Sequence, residues 1–231
     1  MRSLARFMIL FLGLLSMIGA ATPAQADLVL SELIVDLQQG KHAREDVEVW
    51  NNSPERLFVA IEPREITNPS LPSQGARVEP DPEKLGLLVS PTRMILEAGQ
   101  RRLVRIATLS QDLEHEHVYR ITVKPVAGPV QSTESGLKIM VGYDVLVLVR
   151  PALPQPKIIA SRNGRTLNFT NDGNVSVEIV DGKQCSNGHS QCIELPGKRL
   201  YVGATWTVQL KSDAPAEFVL KSPGRTDRQS Y

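Results

Sequence analysis

The sequence predicts an all-β protein built as two β-sandwich domains. Three observations carry this. Short runs alternate apolar and polar side chains, the two-residue period of a half-buried strand, and turn-forming clusters separate them. Beyond the first 26 residues no segment keeps a helical period for three turns. Pro151, Pro154 and Pro156 fall within six residues. No central strand tolerates that density of proline, so a stiff linker divides the chain there.

Residues 1–26 stand apart. Arg2 and Arg6 precede an almost wholly apolar run from Phe7 to Ala21, and Ala24-Gln25-Ala26 has the small-residue pattern at which export signals are cut. The run is short for a membrane span, and Pro23 follows it. Its removal takes two arginines and no acidic residue, so the 205 residues from Asp27 onward carry 24 basic against 25 acidic side chains. No later stretch holds about 18 uninterrupted apolar residues, so no membrane insertion of the mature chain is expected.

The first domain spans residues 27–150. Asp46–Trp50 alternates and ends at the turn Asn51-Asn-Ser-Pro54, and Leu57–Ile61 follows. The proline-rich stretch from Pro63 to Pro82 reads as loop or irregular edge. Gly86–Val89, Arg93–Leu96 and Arg102–Ala107 are short strands, Val118–Val123 alternates, and Leu137–Val149 is a long last strand. Residues 151–156 form the hinge. The second domain, residues 157–231, has strand-like runs at Lys157–Ser161, Thr166–Thr170, Val175–Val180, Lys198–Val202, Thr205–Leu210 and Glu217–Leu220, with turns at Asn171–Asn174 and Gly182. Its core is small, and a covalent staple would compensate. Cys185 and Cys192 flank six residues with Asn187-Gly188 at their middle, and in an exported chain they read most simply as one disulfide. The other reading, a metal site with His189 as third ligand, lacks a fourth ligand and zinc-motif spacing.

Composition narrows the function classes. Charged residues are 22% and hydrophobic residues 42%, an ordinary globular balance rather than a disordered one. The whole chain has 26 basic and 25 acidic residues, without the basic excess of a nucleic-acid binder. There is no nucleophile elbow, phosphate loop, dinucleotide fingerprint or His-Glu-x-x-His zinc motif. On a strand, His115 and His117 would share a face, but no third metal ligand accompanies them. Asp112, Glu114 and Glu116 read as a solvated acidic face sooner than as an acid–base set. Four scattered histidines also fit a copper–zinc sandwich enzyme poorly. The chain is therefore not read as an enzyme.

The run Leu137–Val149 is the unusual feature. At period two, Leu137, Ile139, Val141, Tyr143, Val145, Val147 and Val149 form one apolar face over 13 residues. Globular strands are mostly about 3–10 residues long. Such a strand is either a central sandwich strand or an edge that lends apolar side chains and backbone hydrogen bonds to another polypeptide.

Together these residues resemble the PapD-like family, the periplasmic pilus-assembly chaperones of the chaperone–usher pathway, as a divergent member. The markers are Val47-Glu-Val-Trp-Asn51, Ser90-Pro91, Leu96-Glu-Ala-Gly-Gln100 with Arg102-Leu-Val-Arg105, Glu116-His-Val-Tyr-Arg120, and Val149-Arg150-Pro151 at the domain junction. They cover the first domain. The second matches more loosely, through its proline-rich entry and the Asn171–Asn174 turn. The resemblance implies two immunoglobulin-like domains in a boomerang, with no enzymatic activity, cofactor or metal. It implies a periplasmic chaperone that caps pilus subunits by donor-strand complementation and delivers them to an outer-membrane usher. Leu137, Ile139 and Val141 fall on the alternating donor positions. Glu116 and Arg150 match a charge pair that fixes the two domains. The family's cationic anchors for the subunit's terminal carboxylate fall, by counting, on Val35 and Leu146, which leaves three readings: a divergent branch, another cation such as Lys138 or Arg44, or a chain that does not handle subunits in the usual way. A secreted β-sandwich adhesive or a pilus structural subunit is the alternative. Such a subunit would be one incomplete domain with an alternating N-terminal extension, whereas Asp27–Leu37 is short and a second domain follows.

Overall fold

A computed structural model of the chain describes residues 27–127, 140–185 and 192–231. The expected signal peptide, Leu137, Lys138, Ile139 and the turn between the cysteines lie outside the described residues. The regular structure of the described residues is almost all strand, arranged as a two-domain β-sandwich fold.

The first sandwich packs two sheets face to face. One has the order β1 (Leu28–Leu30), β3 (Arg44–Asn51), β8 (Arg101–Thr108), β6 (Leu87–Ser90). The other has the order β2 (Ile34–Gln38), β10 (Tyr143–Arg150), β9 (His117–Val126), β4 (Leu57–Thr67), with β5 (Gly75–Arg77) and β7 (Arg93–Leu96) both pairing with β4. The chain passes repeatedly between the two sheets, among other places from β1 to β2 and at the cis Ser90–Pro91 bond between β6 and β7. Alternation explains the core: Val47 and Val49 of β3, Val104 and Ile106 of β8, Ile121 and Val123 of β9, and Val145, Val147 and Val149 of β10 all point inward and are buried. Tyr119 joins them, its hydroxyl donating to Leu85 O at 3.1 Å. Burial, with the nearby Glu65 charge, pushes that phenol up to about 12.

Two local readings change. The segment from Pro63 is not loop at its start, because β4 runs through Pro63 to Thr67 and pairs with β9 as far as Ile66. Ile61 N donates to Thr92 O on the far edge of β4. Pro63 has the same parity, so its missing N–H falls at the gap between β7 and β5, where no ladder bond is lost. At its end the segment runs into a one-turn helix, α1 (Pro82–Leu85). Asp81 caps it through Glu83 N, proline opens it, and Gly86 ends it in the left-handed region at φ 82°.

The second sandwich packs β11 (Ile158–Asn163), β12 (Thr166–Asn171) and β16 (Thr205–Gln209) against a sheet ordered β14 (Cys192–Leu195), β13 (Val177–Cys185), β17 (Ala216–Ser222), β18 (Arg225–Ser230), with β15 (Lys198–Leu200) also on β13. Phe169 and Phe218 meet edge to face at 5.3 Å in its core. Cys185 and Cys192 face each other across the β13–β14 ladder and form a disulfide. The two sandwiches share one turn device. Asn51 at the end of β3 donates to Glu55 O, Leu96 O and Glu97 O, and Asn171 at the end of β12 donates to Val175 O and Leu200 O. Both asparagines are buried, with their amide groups tying a turn to the opposite sheet.

Candidate functional site

The site is built on the two edges of β10. Along one edge β10 pairs with β9 from Tyr143↔Val123 to Val149↔His117. Along the other it pairs with β2, in parallel, only from Leu146↔Ile34 to Arg150↔Gln38, and Leu146 N donates to Leu33 O at 2.9 Å. Before Leu146 that edge has no strand partner among the described residues. Asp144 shares the parity of Leu146, so its backbone groups project at the uncovered edge. Such an edge is a template for another chain. Exposed apolar side chains gather where it begins: Leu33 and Ile34 at the start of β2, Met140 and Val141 just before β10. Of the three residues placed on the donor face, only Val141 is described. It precedes the strand and is 65% exposed. Gly142 is where the chain closes onto β9; a Cβ there would meet Val123 O and Lys124 Cβ at 2.9 Å.

The outward face of the same sheet carries charge beside this edge. Leu146, Arg120 and Arg64 lie in one row across β10, β9 and β4. Arg64 Nη2 binds both carboxylate oxygens of Asp144, at 2.9 and 3.0 Å, and its Nη1 reaches Thr122 Oγ1 at 2.6 Å. Arg120 Nη1 donates to Asp144 O at 3.2 Å, while its Nε stays 3.9 Å from the carboxylate. Two guanidinium groups therefore share one carboxylate, and Arg120 hydrogen-bonds the edge carbonyl itself. The counted anchor positions do not supply charge: Val35 points into the first core and Leu146 is buried on the outer face. Arg44 begins β3 in the opposite sheet, away from this edge.

At its other end the same face meets the second sandwich. Val118, Leu146 and Leu148 form a buried cluster completed by Ile66 and by Tyr201. Below them, Arg150 Nη1 donates to Glu116 Oε2 at 2.6 Å, and its Nε and Nη2 grip Asp36 at 2.5 and 2.7 Å. Glu116 Oε2 also accepts from Ser176 N and Ser176 Oγ at 3.2 and 3.1 Å, and Glu116 N donates to Asn174 O. Arg199, paired with Glu178, stands behind Ser176. One carboxylate thus ties both sandwiches. Burial pushes the Glu116 carboxyl above its ordinary value, partly offset by Arg150 and by the Ser176 hydrogen bonds. Asp36, Ser176, Arg64, Arg120, Leu33 and Ile34 were not singled out by the sequence. Asp36 alternates with the core residues Val35 and Leu37, a signal that placed it outward but named no partner.

The other candidates separate. His115 lies exposed in the loop before β9, while His117 Nδ1 lies 3.0 Å from Glu65 Oε1, and Glu65 also pairs with Arg77. Among the described residues no cluster of three or more His, Cys, Asp or Glu side chains is arranged to hold a metal. Asp112 and Glu114 are exposed, apart from the buried Glu116. No helix among the described residues is long and apolar enough to cross a membrane.

Comparison with known proteins gives a consistent picture. The family described as "Pili and flagellar-assembly chaperone, PapD N-terminal domain" matches residues 27–154, more than half of the chain. The protein named as the B subunit of CS1 fimbriae from Escherichia coli is 25% identical over 204 residues, covering 83% of this chain and 84% of its own. The protein named as the A subunit of CFA/I fimbriae from Escherichia coli is 28% identical over 193 residues, covering 78% and 79%. The crystal structure of the class 5 fimbriae chaperone CfaA shares the fold, with a TM-score of 0.66 at 23% identity over 88% of this chain and 98% of that one. The SafB chaperone, solved in complex with the Salmonella enterica SafA pilin, does so with a TM-score of 0.62 at 16% identity over 91% and 98%.

Proposed function

The chain belongs to the family of pili and flagellar-assembly chaperones, non-enzymatic proteins, and we propose that it works in the periplasm, where the open edge of β10 caps a pilus subunit. The observation that carries the reading is the edge itself. β2 covers β10 only from Leu146 onward, and β9 covers the opposite edge from Tyr143 to Val149, so one extended segment of a partner can add beside Asp144 and continue the sheet. A subunit lacking a strand of its own is the partner such an edge suits. Leu137, Ile139 and Val141 would enter its groove, each buried aliphatic side chain contributing about 1.5–3 kcal/mol and each backbone bond about 0.5–1.5 kcal/mol net. Arg120, with Arg64, stands where a carboxylate at the end of the added strand would be received. The Arg150–Glu116–Ser176 tie holds the second sandwich beside the edge, and delivery to an outer-membrane usher follows capping. The reading as a pilus structural subunit is less well supported, because the first sandwich closes its own core with strands from both sheets.

Purification of the protein from the periplasm, with mass-spectrometric identification of what accompanies it, tests the partner. Hydrogen exchange on that complex tests the site. A pilus subunit that slows exchange from Val141 to Leu146 is the expected result, and a bound subunit that leaves those amides as in the free chaperone rejects the edge as the site.

A further inference from the structure

We propose that the loop between β4 and β5, residues 68–74, is a strap by which the first sandwich sets the angle of the second, with Leu71 as its positioning residue. Leu71 belongs to the first sandwich by sequence, yet it is partly buried against the core cluster of the second. Such a placement is unusual for a surface loop, whose tip is ordinarily polar and mobile.

The loop is built to hold that position. Its base is closed by the Thr67↔Gly75 pair of the β4–β5 ladder. Leu71 N donates to Asn68 O at 3.1 Å and Gln74 N to Leu71 O at 3.0 Å. Ser70 N donates to Gln74 Oε1 at 2.7 Å. Asn68 and Ser70 lie in the left-handed region at φ 50° and 64°. Asparagine adopts that region readily, but serine does so at a cost, and the conformation persists only where its surroundings over-determine it. A compact, hydrogen-bonded loop that accepts backbone strain and turns an apolar residue onto another domain acts as a spacer, not as slack.

Its location gives it leverage. β4 ends at Thr67 beside the start of β9, where Ile66 pairs with Val118, and both join the Tyr201 contact between the sandwiches. The junction thus rests on three supports: the Glu116 tie, the Tyr201 cluster and Leu71. The Glu116 tie adjoins the hinge through Arg150, and Leu71 adds a contact from a loop far from it in sequence. The consequence for subunit capture rests on the function proposed above. If the second sandwich must stand at one angle for a subunit to lie along β10, a loosened strap lowers the fraction of competent molecules, and apparent affinity falls in proportion.

The test uses the full mature chain with Leu71→Asp, Leu71→Ala and the conservative Leu71→Met, read by small-angle scattering, thermal unfolding and co-purification of the pilus subunit. Leu71→Asp should keep a cooperative unfolding transition but broaden the interdomain distance distribution. Its subunit capture should weaken by roughly tenfold, the effect of a competent fraction near one in ten. Leu71→Ala should lie between, and Leu71→Met should match the parent. A scattering profile unchanged in Leu71→Asp or, should that variant not fold, in Leu71→Ala overturns the strap. A broadened distribution with undiminished capture overturns its role in positioning. A parent chain that captures no pilus subunit rejects the proposed function instead, and the scattering comparison still decides the strap.

Discussion

Arg150, the last residue of β10, and Glu116, in the loop before β9, meet at 2.6 Å with side chains only 6% and 1% exposed. Removal of one partner from a buried pair leaves the other charge uncompensated and costs about 3–5 kcal/mol. Arg150→Ala also releases Asp36 and should destabilise the chain by that amount, whereas Glu116→Ala leaves Arg150 its Asp36 partner and should cost less. Urea unfolding of the single and double variants gives the coupling energy. A cycle with no coupling would show that the contact contributes nothing beyond its parts.

Glu116 also sets a pH dependence of known sign. Burial raises its carboxyl above the ordinary 4.5, against the pull of Arg150, Ser176 and Arg199. The folded state then holds the proton more tightly than the unfolded state. Its contribution is complete below the unfolded value and is lost as pH rises through the folded one. Glu65 has the opposite sign: the His117 hydrogen bond, with Arg77, lowers its carboxyl, so its contribution is present above the unfolded value and lost as pH falls through the folded one. Unfolding free energies of the parent should therefore decline relative to Glu116→Gln as pH rises from the ordinary carboxylate value through the raised one. A relative gain over that range would mean that Arg150 outweighs burial.

The two sandwiches were legible because alternation marks half-buried strands: Val47 and Val49, or Leu167 and Phe169, declare their faces without any partner being known. β18 was not, since Arg225–Ser230 has no apolar residue and is a strand only because β17 offers it an edge. The continuation of β4 past Pro63 depended on which edge the missing N–H would meet, a tertiary fact. At the junction, Glu116 and Arg150 could be named from resemblance, but Asp36, Ser176 and Leu71 come from strands and loops far apart in the chain, and local pattern carries no trace of such meetings. Counting along β2 fell on Val35, which the structure places in the core; which face a strand residue takes depends on register, since a shift of one residue exchanges the core face for the outward face.

The mature chain should begin at Asp27 and hold no free thiol. Cys185 and Cys192 close a short loop, and on the chain-entropy estimate their bond stabilises by about 2–3 kcal/mol. Intact mass with and without reduction checks both points, and the Cys185→Ser/Cys192→Ser double variant should unfold at lower denaturant by that amount. Alkylation of two thiols in the unreduced protein would contradict the first claim.

Arg120 should matter for capture and little for folding. Its link to Asp144 is long and partly exposed, worth under about 1 kcal/mol. A hydrogen bond to a charged partner group is worth about 1.5–3 kcal/mol, so Arg120→Ala should weaken capture of the subunit roughly ten- to a hundredfold. Equal affinity of parent and variant for the subunit, measured by titration calorimetry, would remove Arg120 from the site.

Side chains before and within β10 should respond oppositely to the same charge. Leu148 is fully buried on β10 beside Tyr201, so Leu148→Asp places an unpaired carboxylate in the junction and should destabilise the chain by several kcal/mol. Val141 is 65% exposed ahead of the strand, so Val141→Asp should leave thermal stability within about 0.5 kcal/mol, as surface substitutions do. If Val141 enters a subunit groove, however, the same carboxylate is desolvated on binding, and capture should be lost. The alternation of the sequence predicts that Ile139 shares the face of Val141, so Ile139→Asp should act in the same way. By the same alternation Lys138 is predicted to face the other way, so Lys138→Asp should weaken capture far less. Thermal unfolding and co-purification together separate the cases. A stable Val141→Asp or Ile139→Asp chaperone that still retains its subunit would mean that capture does not use this face, whereas loss of folding in Val141→Asp would make it part of the core.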